Sequence, residues 1–95
     1  MPAYMIVNLD VQEPVVYEEY KAKVPALIAK HGGKYLVRGG KFKILEGDWK
    51  PNRLVLFQFP DVASVDAFFA DPEYQPLKAL RQKVSKTDVV VVEGI

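Results

Sequence analysis

The chain has 95 residues, a formal net charge of +1, no cysteine, and 49% hydrophobic against 26% charged side chains. That length predicts one domain over residues 1–95, with the composition of a folded, soluble protein. The charge balance gives no case for nucleic acid or an anionic membrane, nothing approaches the ~20 apolar residues of a membrane span, and the missing thiols exclude disulfides and thiolate catalysis.

The first ten residues, MPAYMIVNLD, lack the basic start of a secretion signal, so the expected compartment is the cytoplasm. Ala3 to Leu9 reads as a strand, with Met5, Val7 and Leu9 on one apolar face and Tyr4, Ile6 and Asn8 on the other. Pro14 to His31 reads as a helix whose stripe is Tyr17, Tyr20, Val24, Leu27, Ile28 and His31. Pro25 is expected to kink or interrupt it, because proline removes a backbone donor and clashes with the preceding turn. Gly32-Gly33 ends it.

Lys34 to Arg38 predicts a second strand, Tyr35 and Val37 facing one way, Leu36 and Arg38 the other. Gly39-Gly40 permits a bulge or bend, Phe42 to Leu45 extends the strand past it, and Glu46 to Asn52 makes a turn holding the single tryptophan, Trp49. Arg53 to Phe59 is the strongest strand, with Val55, Phe57 and Phe59 on one apolar face and Leu54, Leu56 and Gln58 on a mixed one. Asp61 caps a second helix with the stripe Val62, Val65, Phe68 and Phe69. Asp71-Pro72 restarts the chain as cap and first helical residue, with Pro76 leaving open a separate turn at 72–75. Lys86 to Glu93, with four consecutive valines, is the last strand.

The order βαββαβ predicts an α+β, ferredoxin-like protomer, a four-stranded antiparallel sheet with helices on one face. Met5, Val7, Leu9, Val55, Phe57 and Phe59 fit beneath the helices. Tyr4, Ile6, Leu36, Leu54, Leu56, Val89 and Val91 are then left on the opposite face, a larger apolar patch than a monomer usually exposes. The expected partner is a second copy, in a homodimer packed sheet face to sheet face. Asn8, Arg38, Gln58 and Glu93 fall on that same face, as polar groups in a half-closed space suited to a small ligand.

Several segments taken together are familiar. KAKVPALIAKHGGKYLVRGG, LEGDWKPNRLVLFQFPD, DPEYQPLKALR and VVVVEG, in that order over nearly the whole chain, resemble the DUF1330 family, small proteins of unknown function in the dimeric α/β-barrel superfamily. The matching positions are Tyr20, His31, Gly32, Gly33, Arg38, Gly39, Glu46, Gly47, Trp49, Arg53, Tyr74 and Arg81. The resemblance implies a ferredoxin-like protomer and a dimer but no particular reaction, since the wider superfamily holds cofactor-free monooxygenases, lactone isomerases, haem enzymes and proteins without known activity.

Two residues stand as candidate catalytic groups. His31 is the only histidine and so the only side chain with an unperturbed pKa near neutrality; it also suits the last turn of a helix, where it complements the dipole. Arg38 suits an oxyanion or carboxylate, or an ion pair with Glu46 or Glu93. Candidate binding residues are Asn8, Tyr20, Trp49, Gln58, Tyr74 and Arg81, with Trp49 equally suited to the dimer edge and Tyr74–Arg81 to bracing a helix. No metal-ligand spacing and no dinucleotide or phosphate loop is present, so no metal or cofactor is expected. The reading is a dimer holding a small planar or carboxylated organic molecule between sheet and helices, with cofactor-free acid–base or oxygenase/isomerase-type chemistry. The alternative is a non-catalytic structural or interaction module, and whether the chain is an enzyme stays open.

Overall fold

A computed structural model describes all 95 residues. Strict apolar alternation sets the two central strands: β1 (Ala3–Val11) and β3 (Leu54–Phe59) bury every second side chain and leave the residues between half-buried. Between and around them lie α1 (Pro14–Lys30), β2 (Lys34–Arg38), α2 (Val62–Ala70), α3 (Gln75–Val84) and β4 (Ser85–Glu93). The sheet order is β2-β3-β1-β4 and every neighbouring pair is antiparallel, a ferredoxin-like arrangement. A third helix makes the element order βαββααβ rather than βαββαβ.

Residues directly opposite in an antiparallel ladder share a face. Ala3 faces Phe59, Met5 faces Phe57 and Val7 faces Val55, and these buried side chains form the floor of the core beneath the helices. The helices contribute Tyr17, Tyr20, Val24, Leu27 and Ile28 from α1, Val65 and Phe68 from α2, and Leu77 and Val84 from α3. The protein is only 17 Å through its thinnest dimension, one sheet plus one helix layer, so the other sheet face has no cover of its own.

On β4 the expected facing is reversed. Val91 lies opposite Met5 and Val89 opposite Val7, which puts both on the helix side; Val90 and Val92, opposite Ile6 and Tyr4, take their places on the open face. Glu93 lies opposite Ala3 and so also leaves the open face. A second reversal occurs on β2. Tyr35 pairs with Phe57 but Val37 pairs with Leu56, so a β-bulge absorbs Leu36 and turns Arg38, opposite Val55, to the helix side. Both faces of the sheet are thereby defined: Tyr4, Ile6, Val37, Leu54, Leu56, Val90 and Val92 on the open one, with Asn8 and Gln58 among them.

Residues 39–53 form no strand, so Phe42 to Leu45 do not extend β2; Phe42, Ile44, Leu45 and Trp49 are all exposed. This arm is tied down at its C-terminal end. The Asn52 N–H donates to Asn8 Oδ1 at 2.9 Å and the Leu9 N–H donates to the Arg53 carbonyl at 2.8 Å. Helix α1 runs through Pro25 without interruption, leaving the Lys21 carbonyl without its usual intrahelical donor. Asp61 caps α2 as expected, its Oδ1 accepting from the Ser64 N–H at 2.8 Å. Asp71 does not cap α3, whose N-cap is Tyr74. Its Oδ1 instead accepts from the Glu73 N–H at 2.9 Å inside the turn between the helices, and the Gln75 side chain donates to the Phe69 and Asp71 carbonyls that α2 leaves open.

Candidate functional site

A cleft opens between the sheet and α1, with about 50 Å³ enclosed and its mouth open to solvent. Its floor is the helix-side row of β1 and β3, and Tyr17 and Tyr20 project into it from α1 because they lie three residues apart on one helical stripe. Tyr35 on β2, Phe68 and Phe69 on α2, and Tyr74 at the head of α3 complete an aromatic wall. The rings touch in series: Tyr17 stacks on Tyr20 at 5.3 Å between centroids, Phe68 meets Tyr74 at 4.2 Å, and Tyr35 meets Phe57 at 4.6 Å.

Fourteen of the eighteen lining residues are hydrophobic, and the remaining four are all cationic: Lys21, Arg38, Arg53 and Arg81. Arg38 lies over the Tyr35 ring with its guanidinium carbon 4.7 Å from the ring centre, a cation–π contact. Within the cleft the Tyr20 and Tyr74 hydroxyls lie 2.8 Å apart and are buried. One donates to the other, which leaves the second hydroxyl proton free to donate onward. Burial, reinforced by Tyr74, raises the Tyr20 phenol far above its ordinary value. Burial also raises Tyr17, against the pull of Arg53 and Arg81, and raises Tyr35 against Arg38. At neutral pH these phenols are therefore hydrogen-bond donors, not bases.

Four of the sequence-derived candidates meet here: Arg38, Tyr20, Tyr74 and Arg81. The other four lie elsewhere. Asn8 and Gln58 are on the open sheet face, and Asn8 is occupied in holding the arm. Trp49 is 61% exposed within the arm. His31 sits just beyond the C-terminus of α1, where its Nε2 donates to Asp71 Oδ2 at 2.8 Å while Lys30 Nζ donates to the same oxygen at 2.9 Å. Arg38 makes no ion pair with Glu46 or Glu93. Tyr17, Tyr35, Lys21 and Arg53 also line the cleft. The tyrosine spacing on α1 pointed toward Tyr17; for Arg53, a matching position in the family resemblance, nothing local signalled a place in a site. Nowhere do three or more His, Asp or Glu side chains gather as a metal cage.

The His31–Asp71–Lys30 cluster ties the end of α1 to the α2–α3 turn. The His31 hydrogen bond first, then Lys30, and the Glu73 N–H hold the Asp71 carboxyl well below the usual carboxylate range. A carboxyl lowered in the folded state stabilises fully above its unfolded pKa of about 4, and loses that contribution as pH falls toward the folded value. Asp71→Asn is thus expected to unfold at lower denaturant than wild type at pH 7, with the gap narrowing at pH 3. A gap of equal size at both pH values would contradict this role.

A protein-family model described as "Domain of unknown function (DUF1330)" matches residues 2–95. Among solved structures, a protein of unknown function from Rhodopseudomonas palustris superposes with a TM-score of 0.80 at 18% identity, covering 99% of this chain and 82% of that one. A dimeric ferredoxin-like protein of unknown function from Jannaschia sp. CCS1 gives 0.73 at 18% identity, over 99% of this chain and 100% of that one. SnoaB, a cofactor-independent oxygenase from Streptomyces nogalater, gives 0.69 at 17% identity, over 99% and 93%. No curated protein matches.

Proposed function

The chain belongs to the DUF1330 family, and from that premise we propose that it is a homodimer, closed through the open faces of two sheets, that binds a small organic molecule in the cleft between sheet and helices. The observation that carries the binding role is the cleft itself. It joins a mostly apolar, aromatic lining to a few polar groups able to orient a guest. Dimerisation is supported by the uncovered sheet face and by the fold-level likeness to proteins described as dimeric. A second reading adds cofactor-free turnover. It is favoured by the fold-level likeness to SnoaB and by Arg38, a cation at the cleft suited to a developing oxyanion. In this reading His31, occupied by Asp71 and outside the cleft, has no part.

Native mass spectrometry of the protein as purified from cells tests both. The expected result is a dimer carrying a reproducible small adduct released on denaturation. A clean dimer favours the interaction-module reading, and a clean monomer removes the sheet-face interface. An adduct whose released mass is unchanged after incubation of the complex in air rejects oxygenation.

A further inference from the structure

Resting on the ligand-binding reading above, we propose that the cleft selects an organic anion, an apolar ring or chain carrying one oxyanionic head, and that Arg53 is the seat of that head. The protein as a whole is close to neutral, with thirteen basic and twelve acidic residues. The cleft is not: all four of its charged lining side chains are cationic. Lys21 has Glu18 beside it at 3.4 Å, but none of the three arginines has a carboxylate within ion-pair distance. Arg81 is nevertheless only 6% exposed, and Arg53 Nε is buried with no hydrogen-bond partner at all.

A guanidinium cannot escape such a site by losing its proton, so the unmet Arg53 Nε–H and the unbalanced charge remain a standing cost of folding. An oxyanion at the guanidinium's outer edge balances its charge and gains charge-assisted hydrogen bonds in the forked geometry that guanidinium offers a carboxylate.

The backbone is arranged to hold Arg53 in place. Gly39 has φ +72°, and a methyl group added there would lie 2.6 Å from Arg53 Nε and 2.8 Å from its guanidinium carbon. The guanidinium therefore rests on the bare backbone of Gly39, which is itself fixed by donating from its N–H to the Leu54 carbonyl at 2.8 Å. Only glycine satisfies both the conformation and the close approach. The protonated phenols add neutral donors without adding a competing negative charge, and Tyr17 lies within the field of both Arg53 and Arg81. The aromatic wall, in turn, requires an apolar body on the guest, since a small, fully hydrated anion would leave that surface unfilled.

The test pairs probes that differ only in charge: naphthoate against naphthalenemethanol, and decanoate against decanol, titrated calorimetrically into wild type, Arg53→Met and Arg53→Lys. The expected wild-type result is at least a tenfold preference for one or both acids over the matching alcohol, falling with added salt. Arg53→Met is expected to lose about tenfold for the acid while holding the alcohol within twofold. It should also melt no lower than wild type, because it removes an unsatisfied buried group. Arg53→Lys, which keeps the charge but not the fork, should fall between, and serves if the methionine variant does not fold. Equal affinity for acid and alcohol would overturn the anion class and leave the cleft as a ligand site. Binding of none of the four would overturn both, and an unchanged acid preference in the Arg53 variants would overturn Arg53 as the seat.

Discussion

Ile6→Glu is expected to convert the proposed dimer into a folded monomer at micromolar concentration, as read by sedimentation velocity. Ile6 stands on an inner strand of the open face, with Leu56 opposite it on β3 and Val90 opposite it on β4. In an isolated protomer a glutamate there keeps its carboxylate in water and costs little. In a face-to-face dimer it is desolvated among aliphatic neighbours, with a symmetry-related carboxylate brought toward it. An uncompensated buried charge costs about 3–5 kcal/mol, which weakens association by roughly two to four orders of magnitude. The far-UV circular dichroism should be retained. A variant that dimerises as tightly as wild type would show that the open face is not the interface.

Phe59→Ala is expected to be the most destabilising of the single truncations in the core. Phe59 is 1% exposed and packs its ring 6.0 Å from Phe68 and 6.4 Å from Phe57 between centroids. It also lies under the α1–β2 junction, where a Cβ on Gly33 would come within 2.7 Å of its ring. Its removal empties a space that sheet, α2 and the glycine turn all share, and rigid walls on three sides limit how far the site can collapse. Phenylalanine-to-alanine changes in such sites cost about 3–5 kcal/mol. For a domain of this size that lowers the melting temperature by roughly 12 °C or more, at fixed protein concentration so that mass action on the proposed dimer does not intrude. A loss of only two or three degrees would move the centre of the core elsewhere.

Where the sequence alternates strictly, it reports the fold directly. Met5, Val7 and Leu9 on β1 and Val55, Phe57 and Phe59 on β3 leave one way to face the helices, and Asp61 marks the start of α2 by the chemistry of its side chain. The four valines of β4 carry no alternation, so only their pairing with β1 decides which two face inward. KYLVR alternates, but the bulge at Leu36 breaks the phase with no local marker, because the Gly39-Gly40 pair that advertises a bend lies downstream of it. The cleft was half legible for a related reason. Tyr20 and Tyr74 are recognisable as stripe and turn aromatics, but Arg53 becomes a candidate only once Gly39 is seen beneath it. His31 and Asp71 are 40 residues apart, and no spacing rule connects them.

The surplus residue in β2 has a consequence for how this chain can change over time. Deleting Leu36 would close the ladder with Tyr35 still opposite Phe57, Val37 opposite Leu56 and Arg38 opposite Val55, so every remaining side chain would keep its side of the sheet. What would carry Arg38 out of the cleft is the reverse event, a flattening of the bulge with all five residues retained. Lineages can therefore lose one codon here without exchanging residues between the two surfaces, and the strand's length is freer to vary than its phase.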